Sequence, residues 1–303
     1  MKLVTTTGDF DAYCNTYLEK IQYVYEAGFR YIDLSLYTIK PDDELIDNDD
    51  WQTTVERIKE YASQKGIQFL QAHGPNVNPL AGEEAFEKAV RQTSRAIEVC
   101  GALGIPNMVV HPGWDKTIAK EDWLEENRKF FSLLFPMMEK HNVNILHENT
   151  STVNMPWCFP KTGAEMVEFT EFVNHPMFHS CWDTGHANME GSQYDEIVTI
   201  GKDLYAIHFN DNRGAKDEHV IPFMGTLNLD EVMHALRDVE YQGPFTLEAS
   251  STLRPGKYWL GSRRKFETDT RLYQPPLQLQ RELEKFLYQT GKYILESYEM
   301  YEE

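Results

Sequence analysis

Short apolar segments rich in β-branched residues alternate along this chain with longer segments whose apolar positions recur at helical spacing. A short apolar run predicts a buried strand, and a period of 3.6 residues predicts an amphipathic helix. The pattern predicts a strand in each of the short segments before residue 250. These strands are Lys2–Thr7, Tyr31–Tyr37, Ile67–Ala72, Asn107–His111, Val143–His147, His179–Trp182, Leu204–Phe209 and Pro244–Glu248.

Helical segments fill the intervals between these strands. Three of them end at a glycine, Gly28, Gly66 or Gly104, which adopts the left-handed conformation without a Cβ clash. Thr162 and Glu165 have the spacing of a capping box at the start of another helix. The predicted helices are Tyr13–Ala27, Trp51–Lys65, Glu83–Leu103, Glu121–His141, Thr162–Asn174, Ser192–Gly201, Asn228–Val239 and Leu277–Tyr298.

Regular alternation of strand and helix predicts parallel strands joined by right-handed crossovers. Eight such units close into a (β/α)8 barrel. An open doubly wound sheet is the alternative, but the first strand–helix turn lacks the GxGxxG of dinucleotide-binding domains. We predict a single-domain TIM barrel over residues 1–303, with the barrel at about 1–250 and a C-terminal loop and helix at about 251–303.

Composition narrows the class of protein. Hydrophobic residues make up 41% of the 303 residues, enough for a sizeable core. No apolar run reaches the roughly 18 residues of a membrane span, and no secretory signal is evident, so we expect no membrane association. The four cysteines lack CxxC spacing and favour a reducing cytoplasm. The net charge of −19 disfavours a nucleic-acid partner, although a local basic patch could still bind one.

Chemically reactive side chains stand where six consecutive strands end. In a parallel barrel these ends meet at one mouth, where reactive residues lie. Clustered buried carboxylates are costly unless a positive group holds them, so a divalent cation is favoured over a hydrogen-bonded polar network. Mixed histidine and carboxylate ligands suit Zn, Mn, Co or Fe. The residues are His73, His111, Glu148, Asp183, His208 and Glu248, with His186, Asp217 and His219 in the following loops.

These motifs resemble the xylose-isomerase-like TIM-barrel superfamily, which includes sugar isomerases, ketose 3-epimerases and endonuclease IV-type AP endonucleases. The resemblance extends from about His73 to Glu248. It implies that Glu148, Asp183, His208 and Glu248 bind one divalent metal, Zn, Mn or Co. It also implies that the two glutamates act as catalytic acid and base.

Two branches of the superfamily imply different roles for the residues other than these four. The stretch from Asp183 to Asn188 resembles the DTxHxN motif of the epimerases, which implies that His186 and Asn188 contact substrate. In the endonuclease branch, additional ligands would fall on the following positions, so that two or three metals are permitted. Those positions are His73, His111, His186, Asp217 and His219.

The chemistry of the predicted site follows from its residue types. Moving a proton beside a sugar carbonyl needs a Lewis acid, a base and an acid. We predict a divalent-metal-dependent isomerase or epimerase of a sugar or sugar phosphate, acting by proton transfer through an enediolate. Glu148 and Glu248 are the predicted acid and base. A hydride shift is a variant of this reaction. A multi-metal phosphodiester hydrolase of the endonuclease IV type is the alternative function, and a metal-binding module without turnover is a third.

Substrate contacts are predicted in the loops at the mouth. Trp114, with Trp157, Phe159 and Phe223, would either wall a sugar pocket or cap the barrel. Arg213 would receive a phosphate or carboxylate of the substrate, or else lie on the surface. Five basic residues between 254 and 265 are expected on the solvated outside. The predicted partner is a small-molecule sugar, and the apolar loops allow a homo-oligomer without requiring it.

Overall fold

The chain folds into a closed barrel of eight parallel strands, seen in a computed structural model that describes residues 1–153, 158–249, 252–253 and 275–303. Each strand pairs with its neighbour in chain order, and the last returns to the first. This confirms the predicted (β/α)8 barrel. The strands are β1 (Leu3–Thr6), β2 (Tyr31–Ser35), β3 (Gln68–His73), β4 (Asn107–Val109), β5 (Asn144–Glu148), β6 (Phe178–Asp183), β7 (Leu204–Phe209) and β8 (Phe245–Leu247).

Helices surround the barrel in the described ranges. None of them combines the length and the apolar character that crossing a membrane requires. Two predicted features, Trp157 and the basic stretch at 254–265, lie outside the described residues. The helices are α1 (Tyr17–Ala27), α2 (Trp51–Lys65), α3 (Glu83–Leu103), α4 (Lys120–Ser132), α5 (Phe135–His141), α6 (Gly163–Val173), α7 (Thr184–Asn188), α8 (Tyr194–Ile200), α9 (Leu229–Asp238) and α10 (Leu277–Ser297).

Two helices differ most from the prediction, for local reasons. The predicted helix Glu121–His141 is divided into α4 and α5, and Pro136 lies in the first turn of α5. A proline lacks the N–H that would continue the preceding helix, so the division occurs just before it. Helix α1 starts later than predicted because Thr16 and Glu19 form a complete capping box.

At α6 the predicted capping box is only half formed. The Thr162 hydroxyl accepts a hydrogen bond from the backbone N–H of Glu165 at 3.2 Å. The Glu165 carboxylate, however, accepts from the backbone N–H of Lys161 at 2.8 Å. Lys161 precedes the capping residue, so the return bond is displaced by one position.

The barrel is closed beneath its mouth by a layer of apolar side chains. Four fully buried residues from β4 to β7 form this layer, so the interior is a packed core rather than a pore. Between the barrel and its helices, large aromatic side chains such as Trp123, Phe131 and Phe169 are buried. All four cysteines are buried and free of disulfides. The layer consists of Val109, Leu146, Cys181 and Ala206.

Candidate metal centre

A cavity of about 490 Å³ opens where the strands end. Pockets of this size accept small molecules. Among the described residues that line it, neither lysine nor arginine occurs. Polar lining residues include His73, His111, Glu148, His186, Asp217, His219 and Glu248, and large apolar ones include Tyr37, Val77, Trp114 and Phe159.

Glu148 lies at the centre of the polar lining because it is the last residue of β5. One of its oxygens, Oε2, is 2.8 Å from His111 Nε2 and 3.6 Å from His73 Nε2. The other, Oε1, is 3.1 Å from His208 Nδ1. Burial opposes ionisation of Glu148, but the imidazoles of His208 and His111 outweigh burial and hold its pKa well below the usual range. Glu148 is therefore a carboxylate.

His208 faces both glutamates of the predicted catalytic pair. Its Nδ1 is 3.1 Å from Glu148 Oε1 and 3.5 Å from Glu248 Oε2. Glu248 immediately follows β8, the strand next to β7, which carries His208. The two carboxylates thus converge on a single imidazole nitrogen from different strands.

Asp183 ends β6 and caps the short helix α7, which the sequence pattern did not predict. Its Oδ1 accepts a hydrogen bond from the backbone N–H of His186 at 2.7 Å. Its Oδ2 accepts one from Asn210 Nδ2 at 2.7 Å. Burial raises the pKa of Asp183, and the imidazole of His186 acts against that rise. The carboxylate is held in place by an amide and by a backbone N–H.

A second group of ligand-type residues lies beside the first. Asp217 Oδ2 is 3.2 Å from His186 Nε2, and Asp217 Oδ1 is 3.0 Å from His219 Nε2. Ligand atoms of Asp183, His186 and His219 all lie within 4.8 Å of one another. Burial alone would lower the pKa of His219, but the Asp217 carboxylate raises it to about 9. His186 Nδ1 is 3.7 Å from Glu148 Oε1, which brings the two groups together.

Three of the histidines are oriented by the backbone in the same way. In each, Nδ1–H donates to a carbonyl oxygen, so Nε2 is the nitrogen that faces the carboxylates. Metal-ligating histidines are held in this manner, with the outer nitrogen donating to a carbonyl or carboxylate. The residues therefore fit divalent cations. The three bonds are His73 to Gly74 (3.2 Å), His186 to Asn149 (2.8 Å) and His219 to Glu248 (3.2 Å).

The structure brings the four predicted ligands to the mouth but divides their closest contacts. His208 lies against Glu148 and Glu248, whereas Asp183 groups with His186 and His219. The five additional ligand candidates of the endonuclease branch all line the same cavity. Whether one cation or several bind here stays a prediction.

Of the predicted substrate contacts Trp114, Asn188 and Arg213, only Trp114 is among the described residues that line the cavity. Trp114 lines the cavity and is 37% exposed. Asn188 instead donates its amide N–H to the Asn212 carbonyl at 3.0 Å. Arg213 pairs with Glu218 at 2.9 Å and is half exposed. Neither Asn188 nor Arg213 is among the described residues that line the cavity.

Sequence reasoning missed two buried polar residues, Asp33 in β2 and Gln71 in β3. Asp33 is fully buried, and both of its oxygens lack a hydrogen-bond partner among the described residues. Its carboxylate groups with His208 and Glu248, and burial raises its pKa to about 7. The sequence did contain a signal for them, since each is a polar residue in the middle of a predominantly apolar strand.

Comparison with known proteins is consistent with this geometry. An uncharacterized protein of Methanocaldococcus jannaschii is 26% identical over 222 residues, 66% of this chain and 74% of that protein. A protein named probable endonuclease 4, from Citrifermentans bemidjiense, is 26% identical, over 61% of this chain and 71% of its own length.

Solved structures share the fold. D-psicose 3-epimerase from Clostridium cellulolyticum H10, solved with D-tagatose, superposes with a TM-score of 0.74 at 19% identity, over 97% of this chain and 99% of its own. The IOLI protein, solved with a zinc atom, gives a TM-score of 0.72 at 18% identity, over 98% of both chains. The family described as xylose isomerase-like TIM barrel matches residues 21–269. With its closed parallel barrel and histidine–carboxylate mouth, this chain belongs to the xylose isomerase-like TIM barrel family.

Proposed function

We propose that this protein is a divalent-metal-dependent isomerase or epimerase of a sugar. The observation that carries the proposal is the convergence of Glu148 and Glu248 on His208 Nδ1, at 3.1 and 3.5 Å. Two carboxylates on different strands, facing one point in a small cavity, suit the removal and return of a proton.

Four residues would hold the cation: Glu148, Asp183, His208 and Glu248. When bound, a divalent cation polarises the oxygen atoms of a substrate and stabilises negative charge that develops beside a carbonyl. Hydrogen bonds that orient the Asp183 carboxylate support its role as a metal ligand. Asn210 and a backbone N–H fix the Asp183 carboxylate, so it needs no reorganisation to act as a ligand.

Glu148 enters the reaction as a carboxylate because two imidazoles keep its pKa low. It can therefore accept a proton from a carbon atom of the substrate. Glu248 lies 3.5 Å from the same His208 Nδ1 and would exchange a proton at the opposite face or the adjacent carbon of the substrate. The same two groups exchange roles in the reverse reaction, as an epimerase or isomerase requires.

The remaining lining suits a sugar. Tyr37, Val77, Trp114 and Phe159 offer apolar surface to the C–H faces of a ring or chain and exclude water. The structural neighbour named D-psicose 3-epimerase, solved with D-tagatose, supports a ketose as the substrate class.

Solvent exchange tests the proposal directly. The protein is incubated with ketopentoses and ketohexoses in D2O with Mn, Co or Zn, and NMR follows deuterium at the carbons next to the carbonyl. We expect deuterium incorporation and a new epimer or isomer. Glu148→Gln and Glu248→Gln should each lower turnover by about 10²- to 10⁴-fold.

Glu98→Gln on α3, where Glu98 pairs with Arg95, is the matched control and should retain wild-type turnover. Product without deuterium would replace proton transfer by a hydride shift. Absence of product across the panel, with metal bound, would refute the proposal.

A second candidate function is phosphodiester hydrolysis by two or three metals. It is favoured by the additional group formed by Asp217, His186 and His219, and by the relatives named probable endonuclease 4. Elemental mass spectrometry of the purified protein gives the moles of metal per chain. Two or three equivalents, lowered by Asp217→Asn, together with cleavage of abasic DNA, would establish the hydrolase. Under our proposal, abasic DNA stays intact.

A further inference from the structure

The cavity at the mouth has two chemically different sides. The four candidate cation ligands, from Glu148 to Glu248, belong to strands β5 to β8 or directly follow β8. Asp11 lines the same cavity and follows the 3-10 turn Thr7–Phe10 after β1. In a closed ring of eight strands β1 stands four places from β5, so Asp11 and Glu148 follow strands on opposite sides of the mouth. Apart from His73, the polar lining residues on the Asp11 side are neutral: Thr6, Ser35, Thr38 and Asn76.

The Asp11 carboxylate is held in place by a buried lysine. Lys20 on α1 is 4% exposed, and its Nζ donates to Asp11 Oδ1. The ammonium group also lies over the ring of Tyr17, 4.6 Å from its centroid. An ammonium group is costly to bury unless it is paired, so the pair restricts the Asp11 side chain to one orientation.

The backbone of Asp11 is also fully hydrogen-bonded. Its N–H donates to the Gly8 carbonyl at 3.0 Å. Its carbonyl accepts from Lys40 Nζ at 2.8 Å, and the same ammonium group donates to the Cys14 carbonyl at 2.6 Å. Two lysines from different segments therefore fix the short loop that carries this carboxylate.

The polar group that Asp11 can offer to a ligand is thus its second carboxylate oxygen, Oδ2. Within the described part of the chain no group donates a hydrogen bond to Oδ2, and the side chain is 22% exposed. An ionised carboxylate only accepts hydrogen bonds, and such charge-assisted bonds are stronger than neutral ones. A fixed carboxylate oxygen on the cavity wall therefore suits a ligand that presents hydroxyl groups.

We propose that Asp11 binds the polyol end of the sugar, accepting hydrogen bonds from hydroxyl groups remote from the carbonyl, and that Lys20 is its positioning residue. The inference rests on the proposed function, which supplies a ketose as the ligand, and it adds the feature that selects for chain length. A ketose too short to reach Asp11 leaves the carboxylate without a hydroxyl partner, so it binds less tightly.

Ligand-observed NMR titration of the Zn-loaded protein measures this selection as dissociation constants. The long ligands are the four D-ketohexoses, and the short ligand is dihydroxyacetone, which keeps the carbonyl but lacks the remote hydroxyl groups. We expect wild type to bind at least one ketohexose about 10- to 100-fold more tightly than dihydroxyacetone.

Asp11→Asn keeps an acceptor for Lys20 but places an amide N–H₂ where Oδ2 lies. It should raise the Kd of the preferred ketohexose about tenfold and leave that of dihydroxyacetone within about twofold. The double variant Asp11→Ala/Lys20→Met removes both members of the pair, so no buried charge stays unpaired, and should show the same selective loss. Asp195→Asn, in the exposed first turn of α8, is the matched control and should bind both ligands as wild type does.

Thermal unfolding verifies that each variant is folded. Equal weakening of long and short ketoses, or wild-type affinity in Asp11→Asn and in the double variant, would overturn the inference, and deuterium incorporation in wild type would still support the proposed function. Selective weakening without turnover of any sugar would overturn the proposed function and leave the polyol site standing. Absence of binding by every ketose would overturn both.

Discussion

His147 offers a quantitative test of burial in this barrel. It belongs to β5 and is fully buried, stacked on Phe178 at 5.1 Å and edge-on to Phe169 at 5.0 Å. Its Nε2 bonds to the Thr170 hydroxyl at 2.9 Å, and its Nδ1 lacks a partner among the described residues. Desolvation lowers the pKa of His147 from 6.5 to about 3.

The sign and size of the effect follow from linkage. Above pH 6.5 the imidazole is neutral in both states and contributes no pH dependence. Below pH 6.5 His147 binds a proton in the unfolded chain but not in the native state, so the free energy of unfolding falls as the pH falls. Each pH unit costs about 1.4 kcal/mol, which gives about 2 kcal/mol at pH 5 relative to pH 7. The loss continues until the pH approaches the folded pKa of about 3.

Urea unfolding of the metal-free protein, with a chelator present, measures this loss. His147→Gln places an amide where Nε2 lies, so it retains a partner for Thr170 and removes the titrating group. We expect wild type to lose about 2 kcal/mol more than His147→Gln between pH 7 and pH 5. His234→Gln, which replaces an exposed histidine, should lose stability as wild type does. Equal losses in wild type and His147→Gln would refute the reasoning.

Three further substitutions test the mouth of the barrel. In Gly185→Ala the new methyl group collides with Asn210 Oδ1, and because Asn210 orients Asp183, calorimetry should show metal affinity reduced about tenfold. Trp114→Ala removes apolar lining and should raise KM roughly threefold with kcat nearly unchanged in steady-state assays, as for a contact made equally in ground and transition states. Arg213→Ala breaks an exposed ion pair and should leave kcat/KM within about twofold of wild type, so a larger loss would return Arg213 to the substrate site.

The strand and helix order was predictable because it depends on local pattern. Parallel strands covered on both faces need continuous apolar runs, and helices against a barrel need one apolar stripe. Both signals lie within a few residues of sequence. The division between α4 and α5 at Pro136 and the capping of α1 by Thr16 shifted boundaries without changing the number of strands.

The types of residue at the mouth were predictable for a related reason. Since the carboxyl ends of parallel strands meet, residues at those ends are brought together regardless of their distance in sequence. His73 and Glu148, 75 positions apart in the chain, approach to 3.6 Å on this basis. The resemblance to a family added expected roles for these residues, and those roles remain proposals.

Only the tertiary structure decided which atoms face one another. Whether a polar residue in mid-strand points into the barrel depends on register and closure, which is why Asp33 and Gln71 escaped the sequence pattern. Loop paths turned Asn188 and Arg213 away from the described cavity lining, although both lie close in sequence to residues at the mouth. The chain's local pattern thus set the barrel and the chemistry at its strand ends. The pairing of donors and acceptors, including the Gln71 contact with His208, was set by distances that arise only when all eight strands close.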